Sequence, residues 1–200
     1  MKQRAVFLDL NGTLVAPVLV ERLADLKLIE GVADGIARLC QAGFVCPVVT
    51  VQSRIEKGMF TGAEFLVWFG GLARQLAAVG ATVVGPYVCP HRFRTPCACK
   101  KPQTLLYKRA AADHGLELTA SYVVGDSAAD IEAAQRFGGR GCFLGSPGTV
   151  QGGAGMAAMA SHAGRSMTEI VDWIVSRGAA EQPVAAHEAR PGWSLVAGME

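Results

Sequence analysis

The stretch Ala5-Val6-Phe7-Leu8-Asp9-Leu10-Asn11-Gly12-Thr13-Leu14 constrains this chain more than any other. An apolar, β-favouring run delivers one carboxylate to its C-terminal end, and an Asn-Gly pair then turns the chain away. The run predicts a buried strand. In an open parallel α/β sheet, ligands gather beyond the carboxyl ends of the strands, so Asp9 is a candidate nucleophile. Alone, the same pattern also fits ordinary turn chemistry, in which Asp and Asn hydrogen-bond their own backbone. The polar residues that follow, in their order, favour the catalytic reading.

Residues 44–51 read as a second buried strand closing on Thr50, followed by the polar loop Gln52-Ser53-Arg54. Further strands are expected at 81–84, at 121–126 ending in Asp126, and at 141–144. Helices separate them. Val32, Ile36, Leu39 and Cys40 share one face of a helix that Gly43 ends. Residues 62–79 form a helix apolar nearly all round and weakened by Gly70-Gly71, and residues 103–114 are helical up to Gly115. Ser127 is placed to cap a helix over 128–137. Residues 145–164, rich in Gly, Ala and Met, read as loop with at most one short helix, and Ser166 caps a last helix at 168–176. Strands alternating with helices predict an α/β, Rossmann-like three-layer sandwich around a parallel sheet of five or more strands.

Two hundred residues, half of them apolar, suit a single core. The expected organisation is one domain over 1–177 and a C-terminal tail over 178–200, where small residues and two prolines show no period. Neither the segment 15–30 nor the short loop before Lys101 has room for a second core, so the domain is expected to be capless. The net charge of +2 is interspersed, with Lys and Arg concentrated only around 92–101, which argues against nucleic-acid or membrane partners. The apolar run after Arg4 stops at Asp9, too short for a signal peptide, and Arg74 breaks the most apolar helix. A cytoplasmic location is the expectation.

Asp9, Thr50, Lys101 and Asp126, the last with Asp130 four residues on, are then expected at one sheet edge. Their joint chemistry is phosphoryl transfer. Two neighbouring acids repel, and Mg²⁺, which prefers oxygen ligands, relieves that repulsion while neutralising a substrate phosphate. Asp9 could attack phosphorus to give an aspartyl phosphate, with the Thr50 hydroxyl and the Lys101 ammonium holding the phosphoryl oxygens. Taken singly, Thr50 is a strand end, Lys101 a solvated cation, and Asp126 with Asp130 a helix N-terminus.

A second signal is Cys89-Pro90-His91, five residues, then Cys97-Ala98-Cys99. Three thiols and an imidazole within eleven residues match a closed tetrahedral zinc site, with reactive or core cysteines as the alternative. Cys40, Cys46 and Cys142 sit among apolar neighbours and read as small core residues.

Val6-Phe7-Leu8-Asp9-Leu10-Asn11-Gly12-Thr13-Leu14 resembles the first motif of the haloacid dehalogenase (HAD) superfamily of aspartyl phosphatases. Val48-Val49-Thr50 resembles the second motif, Lys101 the third and Gly125-Asp126-Ser127-Ala128-Ala129-Asp130 the fourth, so the likeness runs from about residue 4 to 145. More narrowly, Val49-Thr50-Val51-Gln52-Ser53 with Lys57-Gly58-Met59-Phe60-Thr61, and Cys97-Ala98-Cys99-Lys100-Lys101-Pro102, resemble the branch that holds heptose-1,7-bisphosphate 7-phosphatases and histidinol-phosphate phosphatases. The resemblance implies that Asp9 is nucleophile and Mg²⁺ ligand, that residue 11 is general acid and offers its backbone carbonyl to Mg²⁺, and that Asp126 completes the protein ligands with Asp130 behind them. It implies that Thr50, Val51, Gln52, Ser53 and Lys100 line the substrate, a small phosphate ester; separately, a monomer is the expectation. It also implies that a structural zinc on Cys89, His91, Cys97 and Cys99 aims Lys100 and Lys101. The five-residue spacing in the zinc motif leans toward the histidinol-phosphate side.

Two residues depart from the pattern: Asn11 stands where these phosphatases have Asp, and Val51 where the branch usually has Asn. An amide cannot give a proton to a leaving alkoxide. The competing expectation is therefore a catalytically impaired relative that binds phosphate esters, or regulates, without useful turnover.

Overall fold

The structure, a computed structural model, describes residues 2–18, 22–145 and 153–178. The expected tail lies outside the described residues except for Gly178, which closes the last helix. In chain order the elements are β1 (Val6–Leu8), β2 (Val15–Ala16), β3 (Lys27–Leu28), α1 (Val32–Gln41), β4 (Pro47–Val51), α2 (Ser53–Glu56), α3 (Gly62–Ala77) and β5 (Val84–Cys89). They continue with α4 (Leu105–His114), β6 (Tyr122–Gly125), α5 (Ala128–Arg136), β7 (Arg140–Leu144), α6 (Gly153–Met159), β8 (His162–Gly164) and α7 (Met167–Gly178).

Six strands form one sheet in the order β5-β4-β1-β6-β7-β8, and every pairing in it is parallel. β1 lies between β4 and β6, which is why its sequence is apolar on both faces. Its alternate side chains feed two separate cores. Val6 and Leu8 pack with Ile36 and Leu39 of α1, Phe65 and Phe69 of α3, and Ile170 and Ile174 of α7. Ala5 and Phe7 point the other way, toward Leu106 and Tyr107 of α4 and Ala133 and Ala134 of α5. This period-two division makes the three layers. The register pairs Leu8 with Val48 on one side and with Val124 on the other. Asp9, Thr50 and Asp126 therefore emerge at the same carboxyl edge, within a residue or two of one another along the strands.

Three elements differ from the sequence expectation, each for a local reason. The third strand is not 81–84 but Val84–Cys89, and it contains Gly85 and Pro86. Proline survives there because β5 is an edge strand with one partner, and the register slips between Pro47 and Val49 where the Gly-Pro pair bulges. β8 lies in the stretch read as loop; His162-Ala163-Gly164 has no strand-favouring composition and is held by pairing with β7. The polar loop after β4 winds into the single turn α2.

The caps follow the same pattern of agreement and departure. Ser166 caps α7 as expected, its hydroxyl accepting from the Glu169 N–H at 3.2 Å. Ser127 occupies the N-cap position of α5 but makes no capping bond. α3 begins with a full capping box between Thr61 and Glu64. Between β1 and α1, the described residues hold only the β2–β3 ribbon and a short 3-10 turn, with no second core. No helix among the described residues is long and apolar enough to cross a membrane.

Candidate active site and metal loop

The backbone N–H of Asp9 still donates to Val124 at 3.0 Å, so the sheet itself fixes the carboxylate that follows β1. The chain then turns at Gly12, where φ is +92° and a Cβ would stand 2.0 Å from Asp126 Oδ2. Only glycine lets this turn lie against the second acid. Gly125 works the same way for the third, since a Cβ there would meet the Asp130 carboxyl carbon at 2.2 Å. One carboxylate oxygen from each of Asp9, Asp126 and Asp130 lies within 4.8 Å of the other two. Lys101 enters among them. Its ammonium donates to Asp9 Oδ1 at 2.5 Å and to Asp130 Oδ1 at 2.6 Å. Ser127, free of capping duty, donates its hydroxyl to Asp130 Oδ2 at 2.5 Å.

One ammonium does not balance three acids. Burial, then the charges of Asp130 and Asp126, push the Asp9 carboxyl up to about 7 although Lys101 pulls it down. Burial and Asp130 push Asp126 up to about 6. Burial alone would lower the Lys101 ammonium, but Asp130 and Asp9 outweigh it and hold that group well above its ordinary value. A cluster of hard oxygen donors with surplus negative charge has the chemistry that suits Mg²⁺.

The other expected residues gather at this edge, with one exception. Gln52 is 2% exposed; its side-chain nitrogen donates to Asn11 Oδ1 at 2.7 Å and to Thr50 Oγ1 at 2.9 Å. Val51 closes β4 and Ser53 opens α2, both half-buried. Lys100 differs from its expected place along the substrate. Its ammonium donates to the carbonyls of Arg92, Phe93 and Thr95, the last two at 2.9 Å. A tight loop leaves these carbonyls without sheet or helix partners, and the lysine supplies them.

That loop carries the cysteines. Cys89 Sγ lies 3.6 Å from His91 Nδ1 and 3.8 Å from Cys97 Sγ, and His91 Nδ1 lies 3.2 Å from Cys99 Sγ. Zinc with Zn–S near 2.3 Å and Zn–N near 2.0 Å requires tetrahedral edges of roughly 3.5–3.8 Å, so the four ligand atoms already approximate the tetrahedron. Burial raises the thiols of Cys89 and Cys99; at Cys97 burial is outweighed by hydrogen bonds, first from the Lys100 N–H, and the thiol is lowered. Cys46 and Cys142 are buried core residues as expected, and Cys40 is half-buried.

Nothing in the local sequence marks Glu56. The carboxylate at the end of α2 accepts from the Arg92 N–H and from Thr95 Oγ1, the latter at 3.0 and 3.1 Å. Arg92 returns a bond to the Glu56 carbonyl at 3.3 Å, and the Gln52 N–H donates to the Cys89 carbonyl at 2.8 Å. The cysteine loop and the segment after β4 are thus one hydrogen-bonded unit. An isolated acid in a polar stretch looks like any solvated charge. The Ser127–Asp130 pair, by contrast, has the three-residue spacing of a capping motif, a signal that could have pointed to it.

Fold and site together define a hydrolase of the HAD class, a Rossmann-like α/β domain with an aspartate at the tip of its central strand. A family model described as HAD-hydrolase-like matches residues 98–172. The heptose-1,7-bisphosphate 7-phosphatase of Yersinia pestis is 36% identical over 138 residues, covering 65% of this chain and 73% of that protein. The Escherichia coli K12 enzyme of the same name is also 36% identical, over 65% and 72% of the two chains. The crystal structure of a heptose 1,7-bisphosphate phosphatase from B. bronchiseptica, complexed with magnesium and phosphate, shares the fold with a TM-score of 0.75 at 24% identity, over 87% of this chain and 99% of that one. The chain belongs to the HAD phosphatases, phosphoric monoester hydrolases, within the family of heptose-1,7-bisphosphate 7-phosphatases.

Proposed function

We propose that the chain is a Mg²⁺-dependent phosphomonoesterase that acts through an aspartyl phosphate on a small phosphorylated sugar of the heptose bisphosphate type. The convergence of Lys101, Asp126 and Asp130 on Asp9 at the sheet edge carries this reading. The relatives favour a heptose substrate over the histidinol-phosphate lean of the cysteine spacing, since the named matches are heptose phosphatases. In the first step an Asp9 oxygen attacks phosphorus, the ester P–O bond breaks and the alkoxide departs. Lys101 already engages Oδ1, which leaves Oδ2 as the attacking oxygen. In the second step water attacks the same phosphorus, orthophosphate leaves and the Asp9 carboxylate is restored.

Asp9, Asp126 and the Asn11 backbone carbonyl would hold Mg²⁺, with Asp130 orienting Lys101 behind them. Bound there, the ion would neutralise charge on the transferring phosphoryl group. Thr50 and Lys101 would donate to the phosphoryl oxygens, and Val51 and Ser53 would border the sugar. Cys89, His91, Cys97 and Cys99 would hold a structural zinc that keeps the loop folded beside the site. The free thiols of Cys40, Cys46 and Cys142 fit a reducing cytoplasmic setting.

Asn11 favours one second reading, a phosphate-ester-binding protein with little turnover, because its amide can donate hydrogen bonds but has no acidic proton to give to a leaving alkoxide. A screen of phosphate esters with Mg²⁺ separates the two. Orthophosphate release that vanishes in Asp9→Ala supports the enzyme; ester binding without release supports the alternative.

A further inference from the structure

We infer that Gln52 is a positioning residue that sets Asn11 and Thr50 as hydrogen-bond donors toward the bound phosphate ester, an inference that rests on the phosphatase reading above. The side chain is 2% exposed and its Nε2 contacts two oxygens, Asn11 Oδ1 at 2.7 Å and Thr50 Oγ1 at 2.9 Å. An amide nitrogen carries two hydrogens, so this geometry engages both. The main chain of Gln52 is also fixed, its N–H on the Cys89 carbonyl at 2.8 Å and its carbonyl accepting from Ile55 at 3.0 Å. The amide is therefore held from a rigid base.

The consequence is a matter of polarity. With its oxygen taken by Gln52, the Asn11 amide has only its NH₂ left to offer. With one of its two lone pairs accepting from Gln52, the Thr50 hydroxyl is free to turn its hydrogen toward the substrate. Phosphoryl and alkoxide oxygens are acceptors only, so both residues then present what the substrate needs. Turned the other way, Gln52 would draw the donors of Asn11 and Thr50 to itself and leave the Asn11 carbonyl facing an anionic oxygen. Asn11 is half-buried, open enough to reach a ligand, whereas Gln52 lies behind it. Were residue 11 an aspartate, the same donor would keep one of its oxygens unprotonated and leave the other to carry the proton.

Two substitutions separate this role from packing or direct substrate contact. Gln52→Met keeps chain length and removes the donor, whereas Gln52→Glu offers only acceptors and must reverse both neighbours. Turnover of p-nitrophenyl phosphate and glycerol phosphate is measured with Mg²⁺ for the full chain, for both variants and for each combined with Asn11→Ala, with thermal melting to verify folding. The expected loss in kcat/KM is about tenfold for Gln52→Met, larger for Gln52→Glu, and clearly smaller for Gln52→Met when Asn11 is already Ala. An equal loss in both backgrounds, or a Gln52→Glu variant no worse than Gln52→Met, overturns the inference. Should the unaltered chain release no phosphate, the phosphatase reading fails by itself, and binding of orthophosphate with Mg²⁺ becomes the readout. Gln52→Glu should then weaken that binding more than Gln52→Met, and equal binding by the two variants overturns the inference.

Discussion

The ammonium of Lys101 sits 2.5 Å from the carboxylate of Asp9, with the lysine side chain only 5% exposed. Ninety-two residues separate the two in the chain, and the same nitrogen also reaches Asp130. Removing one partner of a buried ion pair leaves uncompensated charge, a loss of about 3–5 kcal/mol. Lys101→Met should therefore destabilise the metal-free protein by about that amount in chemical denaturation, abolish phosphate release, and be partly rescued in stability by Mg²⁺. An unchanged denaturation midpoint would show that the acids take up protons at little cost.

The carboxyls of Asp9 and Asp126, pushed up to about 7 and about 6, define a pH window. Each is raised above its ordinary value of 3.8, so the folded chain binds more protons than the unfolded chain between those limits. Their contribution to metal-free stability accordingly falls as pH rises through the window. Metal binds the ionised forms, so its effect runs in the opposite sense. The rise in Tm on adding Mg²⁺ should be greater near about pH 8 than near about pH 5; an increment independent of pH would remove these two acids from the metal site.

Protein purified without added metal should contain about one zinc per chain by elemental analysis. Cys97→Ser should lose zinc and solubility, because such sites contribute folding energy. Metal-free protein of unchanged stability would refute the assignment. Glu56→Ala, which cuts the bonds to Arg92 and Thr95, should release zinc faster to a chelator while leaving the four ligands in place. The time course of zinc release measures it.

Asn11 supplies a prediction about rate. If a proton donor at this position is what alkoxide departure lacks, Asn11→Asp should raise turnover of alkyl phosphates by roughly 10²- to 10⁴-fold. Aryl phosphates, whose leaving groups need little protonation, should gain less. Asn followed by Gly is chemically labile, so intact-mass analysis of fresh protein must accompany the assay. Equal rates from fresh Asn11 protein and the Asn11→Asp variant would place the proton donor elsewhere.

The alternation of apolar runs with helical faces, the carboxylate after β1, and the C-x-H and C-x-C spacings were all legible because each is local. Strand period, turn chemistry and ligand spacing act over a few residues, and no distant contact alters them. β5 was misplaced because Gly85-Pro86 breaks local strand propensity, and only its position at the sheet edge makes that pair tolerable. β8 was missed because its three residues become a strand only through β7. The same division runs through the site. Sequence brought Asp9, Thr50, Lys101, Asp126 and Asp130 to one edge, but it could not say that Lys101 would bridge Asp9 to Asp130. Nor could it say that Lys100 would turn into its own loop, that Glu56 would bind that loop, or that Gln52 would face Asn11 across 41 residues of chain. Where a side chain points depends on which unpaired polar groups the packed neighbours leave within reach, and those neighbours exist only once the sheet has assembled.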